Sequence, residues 1–189
     1  FEFASTYSYL TTMRLPDLAR EAGVTVAWRP FLLGPIFAAQ GWSTSPFNLY
    51  PAKGAYMWRD MERRAENFGL TLSRPDPFPQ NGLLAARVAT ALPDGAGKIT
   101  CCQNVYLAQF QDGQDISDPN VLTACANAAN LSETVLDVAQ SPENKTALRA
   151  ATEEAQAKGV FGAPSFLVGD ELFWGDDRLE DALHWAQAH

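Results

Sequence analysis

The chain opens FEFASTYSYLTTMRLPDLAREAG (residues 1–23), and how that stretch is divided decides the fold. Phe1 to Ala4 favour a strand. Ser5 is a helix N-cap residue standing at the junction. Behind it, Tyr9, Leu10, Met13, Leu15, Leu18 and Ala19 recur at roughly helical spacing, and Gly23 supplies the stop. Val24 to Pro30, VTVAWRP, alternates and is rich in β-branched residues, so it reads as a second strand. Strand, helix and strand within thirty residues make a βαβ unit, whose strands pair in parallel by default.

Outward from that unit the pattern changes twice. Phe31 to Tyr50 carries Gly, Pro, Ser and Asn without a clear period and reads as an irregular excursion. Residues 52–158 then read as all-helical. Tyr56, Met57, Met61, Ala65 and Phe68 mark one helix, Leu84, Val88 and Leu92 another, and Ile99, Cys102, Tyr106 and Phe110 a third. Asp118-Pro119 and Ser141-Pro142 are caps followed by proline at the first helical position. Strand signals return in VFGAPSFLVGDELFWG (160–175), as a hairpin turning at Gly169-Asp170. A last helix from Asp177 to about Gln187 is expected to bury Leu179, Leu183 and Trp185 or Ala186. The order is βαβ, a helical block, then ββα. The expected fold is therefore α/β and thioredoxin-like, with one domain from 1–51 plus 159–189 and a helical insertion domain over 52–158.

Composition bounds the function. The 189 residues suffice for a core without staples, and a net charge of −8 with no basic cluster argues against nucleic acid as a partner. No apolar run approaches the roughly 18 residues of a membrane span, and no signal peptide is visible. Cys101, Cys102 and Cys125 are odd in number and lack a Cys-x-x-Cys, which speaks against a disulfide framework or a metal site. The two adjacent cysteines lie in a helical pattern and read as small core residues. A reducing, cytoplasmic setting is expected.

The chemistry begins at Ser5 and Ser8. A residue capping the first helix meets its positive dipole end and its unpaired N–H groups, which stabilise an anion. A serine hydroxyl there can hydrogen-bond a sulfur anion but cannot form a disulfide. The pair reads as a place to hold another molecule's thiolate, and it argues against a dithiol oxidoreductase. Pro164 stands just before a strand, where a thioredoxin-like fold carries a cis-proline loop. A cis Ala163–Pro164 bond would turn the Ala163 N–H and C=O toward the helix start, to receive an extended peptide as an added strand would.

Phe3-Ala4-Ser5-Thr6-Tyr7-Ser8-Tyr9-Leu10 resembles the F-x-S-P-[YF]-S-[YW]-L opening of the 2-hydroxychromene-2-carboxylate isomerases and kappa-class glutathione transferases, in the DsbA-like branch of thioredoxin folds. PAKGAYMWRD (51–60), PFPQNGLLAAR (77–87), DISDPNVL (115–122) and FGAPSFLVGDELFWGDDRLED (161–181) match in order, and PFPQN and FWG-D-DRL look closer to the isomerases. The resemblance implies glutathione as cofactor, an aromatic carboxylate substrate and a homodimer. It implies that Ser5 orients the glutathione sulfur and that Ala163, beside Pro164, binds the cysteinyl backbone. It further implies that Lys53 pairs with a glutathione carboxylate, and that Asp176 and Asp177 hold the γ-glutamyl end. Asn81, Arg87 and Asn48 are the candidates on the substrate side, Lys53 being a further one for its carboxylate.

The chain departs from the family pattern in places. Thr6 replaces the usual proline, which predicts a less rigid turn. Asp176 stands where the transferases have serine, adding a charge that would repel a γ-glutamyl carboxylate if it points inward. Trp42 falls where asparagine is usual, with Asn48 as the substitute, in a lengthened segment. Three readings follow: an isomerase in which a glutathione thiolate adds and leaves, a transferase that consumes glutathione, and a glutathione- or peptide-binding module without chemistry.

Overall fold

A computed structural model describes residues 1–132 and 134–189. Helix α1 spans Thr6–Ala22 and is bounded as its sequence requires. Ser5 is extended, and its hydroxyl oxygen accepts the Ser8 N–H at 3.2 Å. Gly23 closes the helix at φ 68°, a left-handed conformation that glycine adopts without steric cost. Pro16 lies inside α1 and cannot donate to the Thr12 carbonyl. Gln103 Nε2 donates to that carbonyl instead, at 3.2 Å. Most of the N-terminal half of α1 is buried, which makes it the central element of the core.

The chain turns sharply just before α1, because the Ser5 N–H returns to the Glu2 carbonyl at 3.1 Å. That turn ends the first extended segment at Glu2. Phe1 donates from its nitrogen to Arg29 O at 2.9 Å and accepts from Phe31 N at 3.0 Å, which is the parallel pattern, one residue deep. The expected strands at 1–4 and 24–30 are thus extended segments without a ladder. Trp28 and Phe31 are nevertheless buried.

Residues 31–50 are more regular than expected. They hold α2, Leu33–Ala39, and α3, Pro46–Leu49, the latter capped by the Ser45 hydroxyl. Six helices follow: α4 Pro51–Asn67, α5 Leu83–Ala91, α6 Ala96–Phe110, α7 Pro119–Ala128, α8 Val135–Ala139 and α9 Pro142–Ala157. Asp118 and Ser141 cap α7 and α9 through their side chains, with proline at the first helical position. Met57, Met61 and Ala65 form the buried stripe of α4. Tyr9 of α1 stacks on Phe110 of α6 at 5.4 Å between ring centroids, and Phe3 packs on Tyr106 at 5.1 Å. Strands β1, Ser165–Val168, and β2, Glu171–Trp174, pair antiparallel with Phe166 opposite Phe173. A 3₁₀ turn, Asp176–Arg178, leads into α10, Leu179–Ala188. It buries Leu179 and Leu183 as expected, with Ala182 beside them; of the two alternatives for the third position, Ala186 is half-buried and Trp185 exposed. The fold is mostly helical around a small antiparallel sheet. No described helix is long and apolar enough to cross a membrane.

Candidate active site

Ser5 and Ala163 meet where the start of α1 faces the loop before β1. The Ser5 hydroxyl donates to the Ala163 carbonyl at 2.9 Å while it accepts from Ser8 N. The Ala163–Pro164 bond is cis. The Ala163 N–H has no hydrogen-bond partner among the described residues. A cavity of about 1000 Å³ opens at this junction, lined by segments 2–7, 32–47, 78–83, 161–163 and 174–177. Lys53, Tyr56, Asp60 and Arg64 of α4 complete it at spacings of three and four, which places them on one face of that helix. Phe37, Trp42, Phe47, Phe78, Phe161 and Trp174 give the cavity an aromatic wall. Phe161 and Trp174 pack at 4.8 Å and Phe37 and Trp42 at 5.7 Å.

Thr6 is not a loosened proline position. It is the first residue of α1, and its hydroxyl donates to the Met57 sulfur of α4 at 3.3 Å. Asp176 is buried, and its carboxylate is enclosed by cations. Thr11 Oγ1 donates to it at 3.0 Å, Arg64 donates from Nε at 3.1 Å and also from Nη2, and Arg14 Nη2 lies at 3.6 Å. Its charge is therefore matched before any ligand arrives, which removes the repulsion expected from this substitution. The Asp176 N–H, at the start of the helical turn, has no partner among the described residues. Asp177 is exposed and pairs with Arg178 at 3.1 Å.

Lys53 is exposed, with Nζ 5.7 Å from the centre of the Phe47 ring and no carboxylate within 4 Å among the described residues. Asn81 lines the cavity, and its Oδ1 accepts the Leu83 N–H at 3.1 Å. Two of the substrate-side candidates lie outside the cavity lining. Asn48 does not line the cavity; its amide points back to Thr44 Oγ1 and the Phe78 carbonyl. Arg87 also lies off it, on α5, with its carbonyl taken by Asn144 Nδ2 of α9. Polarity on that side comes from Tyr7, Asp60 and Glu2. Tyr7 donates its hydroxyl to Asp60 at 3.0 Å, and burial and that carboxylate push the phenol up. Glu2 is buried at the cavity edge, and burial pushes its carboxyl up to about 7. The Lys53, Tyr56, Asp60, Arg64 spacing is the signal that would have extended the site along α4. No group of three or more metal-ligating side chains occurs among the described residues. Cys101, Cys102 and Cys125 are free thiols buried in the core, all raised by desolvation.

Residues 1–184 match the family described as a DSBA-like thioredoxin domain. A 2-hydroxychromene-2-carboxylate isomerase from Sphingobium xenophagum is 32% identical over 182 residues, covering 95% of this chain and 92% of that protein. Glutathione S-transferase kappa 1 from Homo sapiens is 25% identical over 201 residues, covering 97% and 87%. A solved structure of a 2-hydroxychromene-2-carboxylate isomerase superposes with a TM-score of 0.88 at 24% identity, over 100% of this chain and 92% of that one, a likeness of fold.

Proposed function

The chain belongs to the DSBA-like thioredoxin domain family, and on that premise we propose that it is a glutathione-dependent isomerase of 2-hydroxychromene-2-carboxylate or a related aromatic intermediate. The observation that carries the reading is the junction of Ser5 and Ala163 at the mouth of an aromatic cavity. A serine replaces any redox cysteine there, so the reacting sulfur comes from a ligand. In this reading the glutathione cysteinyl backbone pairs with Ala163 as an added strand. Its sulfur lies at the α1 N-terminus, and the Ser5 hydroxyl turns from the Ala163 carbonyl toward it. A free thiol titrates near ~8.5, and a helix end with a hydroxyl donor lowers that value.

Lys53, held over Phe47 and without a carboxylate partner among the described residues, receives the glycine carboxylate. The Asp176 N–H receives the γ-glutamyl carboxylate and Asp177 the ammonium. The aromatic wall receives the substrate ring, and Asn81 supplies polarity beside it. The thiolate adds to the conjugated double bond of the ring-opened substrate, the resulting single bond rotates, and the thiolate leaves. The relatives named as isomerases support this reading, as does the greater likeness to one of them than to the kappa transferase. Part of the same proposal is a homodimer in a reducing cytoplasm, where the buried cysteines stay thiols.

The test is turnover of 2-hydroxychromene-2-carboxylate with and without glutathione while free thiol is counted. The proposal expects turnover only with glutathione and at constant thiol. Stoichiometric loss of thiol would replace it with conjugation.

A further inference from the structure

We infer that the Glu2 carboxyl is the proton donor and acceptor for the substrate's carbonyl oxygen in this cavity. The inference rests on the isomerisation proposed above and assigns a residue to the proton that this reaction must move.

Four carboxylates line the cavity: Glu2, Asp60, Asp176 and Asp177. Three have cationic partners. Arg63 reaches Asp60 at 3.2 Å, Arg64 and Arg14 hold Asp176, and Arg178 holds Asp177. Glu2 has no arginine or lysine within 4 Å among the described residues, yet it is only 7% exposed. An acid that is buried and lacks an arginine or lysine partner favours its protonated form. Its local donors are the backbone N–H groups of Ala4 and Ser5, and burial outweighs them, pushing the carboxyl up to about 7. At neutral pH such a group both gives and takes a proton.

Position agrees with ionisation. The turn that returns Ser5 N to Glu2 O holds the two residues close together, and both line the cavity. The Gln80-Asn81-Gly82 segment, which also lines the space, packs against residues 2–4. Gly82 lets that segment approach: a Cβ there would stand 3.2 Å from Glu2 Oε1. The titratable groups acting on Glu2 are the Phe1 nitrogen and, from α6, the Tyr106 phenol, which burial raises. The Tyr106 hydroxyl is committed to the Glu2 carbonyl at 2.8 Å.

The step balances without a further reagent. The thiolate forms a C–S bond at the alkene carbon next to the aromatic ring, and the alkene electron pair moves out to the ketone oxygen. The Glu2 O–H bond breaks and its proton goes to that oxygen, giving a neutral enol and a carboxylate. After rotation about the new single bond, Glu2 takes the proton back, the carbonyl reforms, the C–S bond breaks and the thiolate leaves. Nothing is oxidised, and no proton is gained or lost overall.

The test compares wild type, Glu2→Gln and Glu2→Asp in turnover of 2-hydroxychromene-2-carboxylate across pH 5 to 9, with glutathione affinity measured by calorimetry on the same proteins. Glu2→Gln keeps the shape and removes the acid. It should bind glutathione within about twofold of wild type, lose about 100-fold in kcat, and lose the wild-type rate inflection near neutrality. Glu2→Asp should recover part of the rate and the inflection. Wild-type kcat and pH profile in Glu2→Gln would overturn the inference and leave the isomerase reading standing. A wild-type protein that binds glutathione but does not turn over the chromene carboxylate would defeat that reading, and this step with it.

Discussion

The Ser5 hydroxyl donates to the carbonyl oxygen of Ala163 at 2.9 Å, across 158 positions of sequence. Ser5 Oγ in turn accepts the Ser8 N–H, so one side chain caps the start of α1 and ties it to the loop before β1. The helix start and the strand-like edge of Ala163 are thereby fixed relative to each other before a ligand binds. A peptide-like ligand meets both at little ordering cost, which is where affinity is gained.

The Asp176 network is structural as well as local to the site. Asp176→Asn removes a buried negative charge facing Arg14 and Arg64 and leaves two guanidinium groups close together. Stability should fall by about 3 to 5 kcal/mol, read from urea unfolding midpoints at unchanged slope. A loss below about 1 kcal/mol would mean that the arginines find water or another partner.

Glu2 also makes stability depend on pH. Burial raises its folded value from 4.5 to about 7, so the folded protein binds more protons than the unfolded chain between those values. Its contribution is present in full below pH 4.5 and is lost as pH rises toward 7, amounting to on the order of 3 kcal/mol. Unfolding free energies of wild type and Glu2→Gln, measured from pH 4.5 to 8, isolate this group from the others. Wild type should lose stability relative to Glu2→Gln as pH rises from 4.5 to 8, and a pH-independent difference would refute it.

The cysteines offer a check on the core. Burial pushes Cys101 up to about 12 and Cys125 up to about 11, and Cys102 is raised as well. Native protein at pH 8 should therefore react with a disulfide reagent at none of the three thiols within minutes, and at all three once unfolded. Prompt labelling of the native protein would place one of them at the surface.

Much of the architecture was legible because its signals are local. The Ser5, Asp118 and Ser141 caps, the helical stripes of α4 and α6 and the Gly169-Asp170 hairpin each announce themselves within a few residues. The helices within 31–50 were not. Ile36 is buried against Phe31 and Val160, a tertiary contact, although Ser45-Pro46 repeats the cap signal read at 118 and 141. The two N-terminal strands failed to form ladders because their one shared pair of hydrogen bonds belongs to Phe1 alone. In the cavity, Ser5, Lys53, Asn81, Ala163, Asp176 and Asp177 come together, while Asn48 and Arg87 stay outside. The Arg64–Asp176 pair spans 112 positions, so neither residue carries a local sign of the other.

The central claim is that Ser5 and the α1 N-terminus hold a glutathione thiolate. The direct measurement is the pH titration of thiolate absorbance for glutathione bound to wild type and to Ser5→Ala. Wild type should show the bound thiol titrating at least one unit below the free value of ~8.5, and Ser5→Ala should move it back up while glutathione still binds. The same titration in both proteins, or a bound thiol titrating at the free value in wild type, would contradict the account.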